Sequence, residues 1–139
     1  MTREYHIQVA VNEYLEYMSG IYNFRHFHVP NEGKRSIGYH LKLKKMGLKS
    51  GCPDIIIEYP EGRVLYIELK TNQGKLSNSQ KLWAVQSKAM GTPHYVVKGE
   101  ITECIIEVRR ILEKYIPKRW LHTNYSFTPF TFKSFCTAL

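Results

Sequence analysis

Residues 51–70, GCPDIIIEYPEGRVLYIELK, limit what this chain can fold into more than any other stretch. Two apolar runs, residues 55–57 and 64–67, flank Pro60-Glu61-Gly62. This is the pattern of a β-hairpin whose three-residue loop places Gly where a positive φ is needed. Centring the loop on Glu61 pairs Tyr59 with Arg63, Ile57 with Leu65, Ile55 with Ile67 and Asp54 with Glu68. Side chains alternate along a strand, so Ile55, Ile57, Tyr59, Leu65, Ile67 and Leu69 share one face, the predicted core face. Asp54, Ile56, Tyr66, Glu68 and Lys70 share the other.

Directly opposed side chains have Cβ atoms roughly 5 Å apart, and two like charges placed there destabilise the pair. Fold stability therefore does not explain Asp54 opposite Glu68. A hard divalent cation does, since Mg²⁺ or Mn²⁺ is held by one or two carboxylates together with waters and phosphate oxygens. Lys70, about 6.8 Å beyond Glu68 on the same face, adds an ammonium that can hold an attacking water or screen charge on a phosphate. The competing expectation is an ordinary solvent-facing strand, with Lys70 screening two acids.

A chain of 139 residues is sized for one domain. With 43% hydrophobic residues and no apolar run near the ~20 residues of a membrane span, a soluble protein is expected. The polar start TREYHIQ lacks the apolar region of a signal peptide. A formal charge of +8 and a pI near 9.4 fit a polyanionic partner. Cys52, Cys104 and Cys136 are odd in number and far apart, so neither a disulfide framework nor a zinc site is expected, and they read as reduced cytosolic thiols.

Along the chain, periodicity predicts a first helix over Arg3–Ser19, with Thr2 as N-cap and Gly20 at its end. Ile7, Val11, Tyr14 and Met18 form its apolar stripe, with Glu4 and Gln8 on the margin. Residues 21–29 read as a strand ending at Pro30, residues 31–36 as a loop and residues 37–46 as a short helix with Lys42, Lys44 and Lys45 exposed. After the hairpin, Ser77-Asn78-Ser79-Gln80 has the form of a capping box. It opens a helix expected to bury Leu82, Val85 and Ala89 and to end at Gly91. Trp83 either packs in the core, the commoner outcome, or stacks on a base. Residues 94–97 read as a strand beside the hairpin. Residues 101–116 read as a helix with Ile105, Val108, Leu112 and Tyr115 inward, stopped by Pro117. His26, His28, His94 and His122 lack metal-ligand spacing and read as packing or rim residues. From Lys118 onward, Trp120, Tyr125, Phe127, Phe130, Phe132 and Phe135 make an aromatic tail that must fold back on its domain or cross to a second subunit.

Asp54 with Glu68-Leu69-Lys70, preceded by Pro53, resembles the PD-(D/E)xK nuclease signature. The wider wording is similar to the VRR-NUC family, over roughly residues 4–97. It comprises Asn31-Glu32-Gly33-Lys34-Arg35, Leu43-Lys44-Lys45-Met46-Gly47, Gly51-Cys52-Pro53-Asp54, Ile67-Glu68-Leu69-Lys70-Thr71, and Gly74-Lys75-Leu76-Ser77 with Gln80 and Trp83. The resemblance implies an α/β, restriction-endonuclease-like fold with a central mixed sheet flanked by helices. The nuclease domain would span residues 1–117, with residues 118–139 as the tail. It implies Mg²⁺ or Mn²⁺ on Asp54, Glu68 and the Leu69 carbonyl, with Glu4 assisting from the first helix. The competing role for Glu4 is to favour the positive helix N-terminus. Gln80 either closes its cap or faces the metal. Asn31, Lys34, Arg35, Lys44, Lys45, Lys75 and Ser77 are the expected nucleic-acid contacts, for which a solvated turn or helix face is the alternative. Likeness to the stand-alone phage and bacterial members implies a cytoplasmic homodimeric endonuclease cutting branched DNA such as four-way junctions, with no small-molecule cofactor and no membrane. The alternative is an inactive nucleic-acid-binding module on the same fold.

Overall fold

A computed structural model describes residues 3–29 and 36–119. The elements run α1 (Arg3–Ser19), β1 (Arg25–His28), α2 (Ile37–Lys45), β2 (Ile55–Tyr59), β3 (Arg63–Lys70), α3 (Asn78–Ala89), β4 (His94–Lys98) and α4 (Ile101–Tyr115). The sheet order is β1-β2-β3-β4, with the β2–β3 hairpin central, β1 antiparallel to β2 and β4 parallel to β3. The mixed sheet follows from connectivity: a tight turn joins antiparallel neighbours, whereas the parallel β3–β4 pair needs α3 as its crossover.

The hairpin has the register expected from its loop, with Tyr59 facing Arg63, Ile57 facing Leu65 and Ile55 facing Ile67. Gly62 has φ 67° as the turn requires, and Glu61 shares the left-handed region at φ 69°, a conformation its sequence did not announce. Ile55, Ile57, Tyr59, Leu65, Ile67 and Leu69 are all buried. They form one cluster with Ile7, Val11, Leu15 and Met18 of α1 and Cys104, Val108, Ile111 and Leu112 of α4. Burying a side chain of this size contributes about 1.5–3 kcal/mol, so this face holds the sheet and both long helices together. α3 packs on the opposite face, where Trp83 meets Tyr66 edge-on at 6.2 Å.

Four expectations need correction. α3 does not bury Leu82, Val85 and Ala89: Leu82 is 57% and Val85 66% exposed, and Ala89 is exposed as well. The inward stripe is Gln80, Trp83, Ala84 and Ser87, because the capping box and the Gln80 contact described below fix the rotation of the helix. Ser87 is fully buried and its hydroxyl donates to the Trp83 carbonyl at 2.8 Å. In α4 the buried stripe is centred on Cys104, Val108, Ile111 and Leu112, with Ile105 and Tyr115 at its margin. In α1, Leu15 takes the central place and Tyr14 the margin. The strand expected over residues 21–29 is confined to Arg25–His28. Ile21 and Tyr22 instead continue the α1 end, each donating its N–H to the Met18 carbonyl at 2.9 Å.

Tyr22 bridges Lys118, and the Arg119 N–H donates to the Ile21 carbonyl at 2.8 Å, so the chain after α4 returns to the end of α1. Thr2, the loop residues Asn31, Lys34 and Arg35, and the aromatic tail from Trp120, with Cys136, lie outside the described residues. Among the described residues no helix is long and apolar enough to cross a membrane.

Candidate active site

The face of β3 opposite the core is not solvated at its end. Glu68 is 1% and Lys70 6% exposed, which removes the reading of an ordinary exposed strand. Burying two charges costs several kcal/mol per ion unless good hydrogen bonds offset it, and the geometry shows the offsets. The Lys70 ammonium lies 2.7 Å from Glu68 Oε1 and 3.0 Å from Glu4 Oε1. Gln80 Nε2 also donates to Glu68 Oε1, at 2.5 Å. The Asp54 carboxylate accepts the Leu69 N–H at 2.8 Å through Oδ2. The N–H and C=O of one strand residue point to the same edge. The Leu69 carbonyl therefore points to the strand edge on which Asp54 lies, while the Lys70 carbonyl points the other way and accepts the Gly99 N–H at 3.1 Å.

Gln80 closes its capping box and reaches Glu68 with the same side chain. Its Oε1 accepts the Ser77 N–H at 2.8 Å, closing the capping box, while its single amide nitrogen, Nε2, faces Glu68. Glu4 reaches the cluster from the first turn of α1 and contacts Lys70. Gln80→Ala removes the cap bond and one partner of a buried carboxylate together. It is expected to cost about 1–2 kcal/mol, read as a lowered midpoint in urea with unchanged slope.

One oxygen has no partner. Glu68 Oε2 is buried without a hydrogen bond, although buried carboxylate oxygens are ordinarily satisfied. Three carboxylates, of Glu4, Asp54 and Glu68, face the single ammonium of Lys70, leaving two negative charges in excess if all are ionised. The consequence is electrostatic. Burial, then the charge of Asp54, pushes the Glu68 carboxyl up to about 7, against the pull of Lys70. Burial likewise raises Asp54, opposed by the Leu69 N–H and Lys70. For Lys70, burial works against the charged form, and the hydrogen bonds to Glu68 and Glu4 outweigh it, so its pKa is raised.

A divalent cation fits this set. It would give Glu68 Oε2 a partner and cancel the two excess charges. Among the described residues no group of three or more His, Cys, Asp or Glu side chains is placed to hold a metal ion. Two carboxylates and a carbonyl, completed by water and substrate oxygens, are nonetheless an ordinary donor set for Mg²⁺ at phosphate-handling sites.

Beside the acids lies a cavity of about 190 Å³, with Asp54 and Gln80 in its wall together with Lys44, Ser77, His40, Lys49, Ser50, Gly51, Leu48 and Cys52. Two expected nucleic-acid contacts, Lys44 and Ser77, thus border Asp54. Lys45 and Lys75 are exposed and do not line this cavity. His40 and Lys49 are there without having been singled out in the sequence, where only their place within the basic helix and just before Gly51 pointed to them. Trp83 packs against Tyr66 with its indole N–H buried and unpartnered. His28, expected as a packing or rim residue, has its Nδ1 2.7 Å from the Asp54 carbonyl.

A family model for the VRR-NUC domain matches residues 2–100. A solved structure described as a VRR-NUC domain protein superposes with a TM-score of 0.59 at 23% identity, covering 81% of this chain and 90% of its own. A second, described as a VRR-NUC domain, gives a TM-score of 0.51 at 19% identity over 83% of this chain and 99% of its own. At such identities these likenesses show the fold. No curated protein matches the sequence.

Proposed function

Because the chain belongs to the VRR-NUC domain family, and so carries a nuclease-type domain, we propose that it is a metal-dependent DNA endonuclease acting at Asp54, Glu68 and Lys70. The observation that carries this reading is the buried, unpartnered Glu68 Oε2 beside a buried ammonium in a site with surplus negative charge. Asp54, Glu68 and the Leu69 carbonyl would hold Mg²⁺ or Mn²⁺. Bound there, such an ion supplies an acidified water and neutralises charge on the phosphate. Lys70 stands ready to orient the water or donate to a phosphate oxygen. Glu4 holds the ammonium from the α1 side, and Gln80 fixes the Glu68 carboxylate from α3.

The net charge of +8 and the Lys44 and Lys49 ammonium groups bordering the cavity favour a polyanionic substrate. Likeness to the stand-alone members of the family extends the proposal to branched DNA and a homodimer, since paired sites related by a two-fold axis match a two-fold junction. Linear, flap and four-way substrates, each offered with Mg²⁺ and with Mn²⁺, test it, together with sizing by light scattering. Preferred cutting of the four-way substrate by a dimer supports it. A monomer that cuts all three alike overturns the junction reading. Binding with no cutting of any substrate favours a module that only binds.

The ion-free protein has a pH signature. The folded Glu68 pKa near 7 lies above the ordinary 4.5, so between these values the folded state holds more protons than the unfolded chain. The stability that Glu68 contributes is therefore full below about pH 4.5 and is lost as pH rises through about 7, by on the order of 3 kcal/mol. In EDTA the melting temperature should drop between pH 5 and 8. Glu68→Gln should flatten that drop, and Mn²⁺ should reverse it at pH 8. A wild-type profile in EDTA that stays level or rises contradicts the raised carboxyl.

A further inference from the structure

We infer that His28 is a positioning residue for the Asp54 site, its ring holding the Asp54 main chain where the carboxylate can serve as an ion ligand. The inference rests on the proposed reading of Asp54 as such a ligand. β2 begins at Ile55, so Asp54 lies one residue outside the strand and needs other bonds to fix its backbone. Its carbonyl accepts from His28 Nδ1 at 2.7 Å and from the Val29 N–H at 3.3 Å. The shorter of these is the side-chain bond, so the ring makes the closer grip. On its other side Asp54 reaches the Leu69 N–H through Oδ2 at 2.8 Å. Asp54 thus spans from the end of β1 to β3, with His28 anchoring one end and Leu69 the other.

The chemistry of the bond fixes the tautomer. A carbonyl oxygen only accepts, so His28 Nδ1 carries the hydrogen. β-Sheet register places His28 opposite Ile55, one step from Asp54, which explains how a short side chain reaches that carbonyl. Groups that orient an ion ligand without touching the ion typically change affinity 10–100-fold when removed.

The test is calorimetric titration of the full chain with Mn²⁺ at pH 8, for wild type, His28→Ala and His28→Asn. The Asn side-chain amide carries an N–H donor in nearly the place of Nδ1, so it tests the hydrogen bond separately from the ring. His28→Ala should weaken Mn²⁺ binding about 10–100-fold, and His28→Asn should recover most of that loss. In EDTA both variants should melt close to wild type, because His28 is exposed. Wild-type affinity in His28→Ala overturns the inference, as does a His28→Asn variant no better than His28→Ala. A wild-type chain that takes up no Mn²⁺ overturns the ion-site reading along with it. That failure is distinct from the case in which wild type binds and His28→Ala binds equally.

Discussion

Lys70→Ala should abolish DNA cleavage, lowering the rate by about 10²–10³-fold or more, as removal of a charge-stabilising donor does at sites of this kind. DNA binding should survive with its salt dependence largely intact, because the Lys44 and Lys49 groups around the cavity are untouched. Loss of the ammonium leaves the 1%-exposed Glu68 without its cation. Breaking a buried pair in this way ordinarily costs about 3–5 kcal/mol. Here Glu68 has a second option. Its carboxyl already sits near pH 7, and without Lys70 it rises further and is neutral at assay pH. The double variant Lys70→Ala with Glu68→Gln makes that neutrality permanent, and should be folded and equally inactive. Cleavage at the wild-type rate by folded Lys70→Ala would remove Lys70 from the mechanism.

Gly51→Ala should be the most damaging small substitution in the described residues. Gly51 has φ +81°, and a Cβ built on it would lie 2.4 Å from the Ser79 carbonyl carbon and oxygen and 2.8 Å from the Gln80 nitrogen. All three are backbone atoms, so no side-chain rotation relieves the clash. The first turn of α3 must move away from the loop that carries Asp54. Strain in the left-handed region alone costs about 1–2 kcal/mol. With the displacement added, a loss of at least about 3 kcal/mol, or roughly 10 °C in melting temperature, is expected. Gln80 moves with the turn and loses Glu68, so cleavage should fall by more than the lost stability explains. Gly38→Ala is the control. It lies in α2 with nothing near its added Cβ and should stabilise by about 0.5–1 kcal/mol. Wild-type melting of Gly51→Ala would show that the loop and α3 are not in such close contact.

The hairpin was legible because its pattern has period two and a turn that fixes register. A slip by one residue would have turned Ile55, Ile57, Leu65 and Ile67 out of the core. The bounds of α1 and α3 followed from local signals, Gly20 after the last turn and the box of Ser77 with Gln80. The rotation of α3 was not legible. Apolar periodicity pointed Leu82 and Val85 inward, but the first turn is tied to Glu68 and to Gly51, and those ties turn Trp83 and Ser87 to the sheet instead. Such ties are tertiary and leave no periodic trace.

Asp54, Glu68, Leu69 and Lys70 could be brought together on paper because strand geometry sets their spacing. Their burial could not, since Glu4 reaches Lys70 from 66 residues away and Gln80 reaches Glu68 from the helix beyond the next loop. The bond His28 makes to Asp54 was not legible for a related reason. A histidine without ligand spacing gives no sequence signal of a hydrogen bond to a main-chain carbonyl 26 residues away.

The most direct test is nicking of supercoiled plasmid by wild type and by Asp54→Asn, in Mg²⁺, in Mn²⁺ and in EDTA. Asn keeps the shape of the side chain and a carbonyl oxygen for the Leu69 N–H, and removes only the charge. Wild type should nick with either ion and stop in EDTA, while Asp54→Asn should bind the plasmid and leave it supercoiled. Wild type inert in both ions, or Asp54→Asn nicking as fast as wild type, would contradict a cation-dependent site built on Asp54 and Glu68.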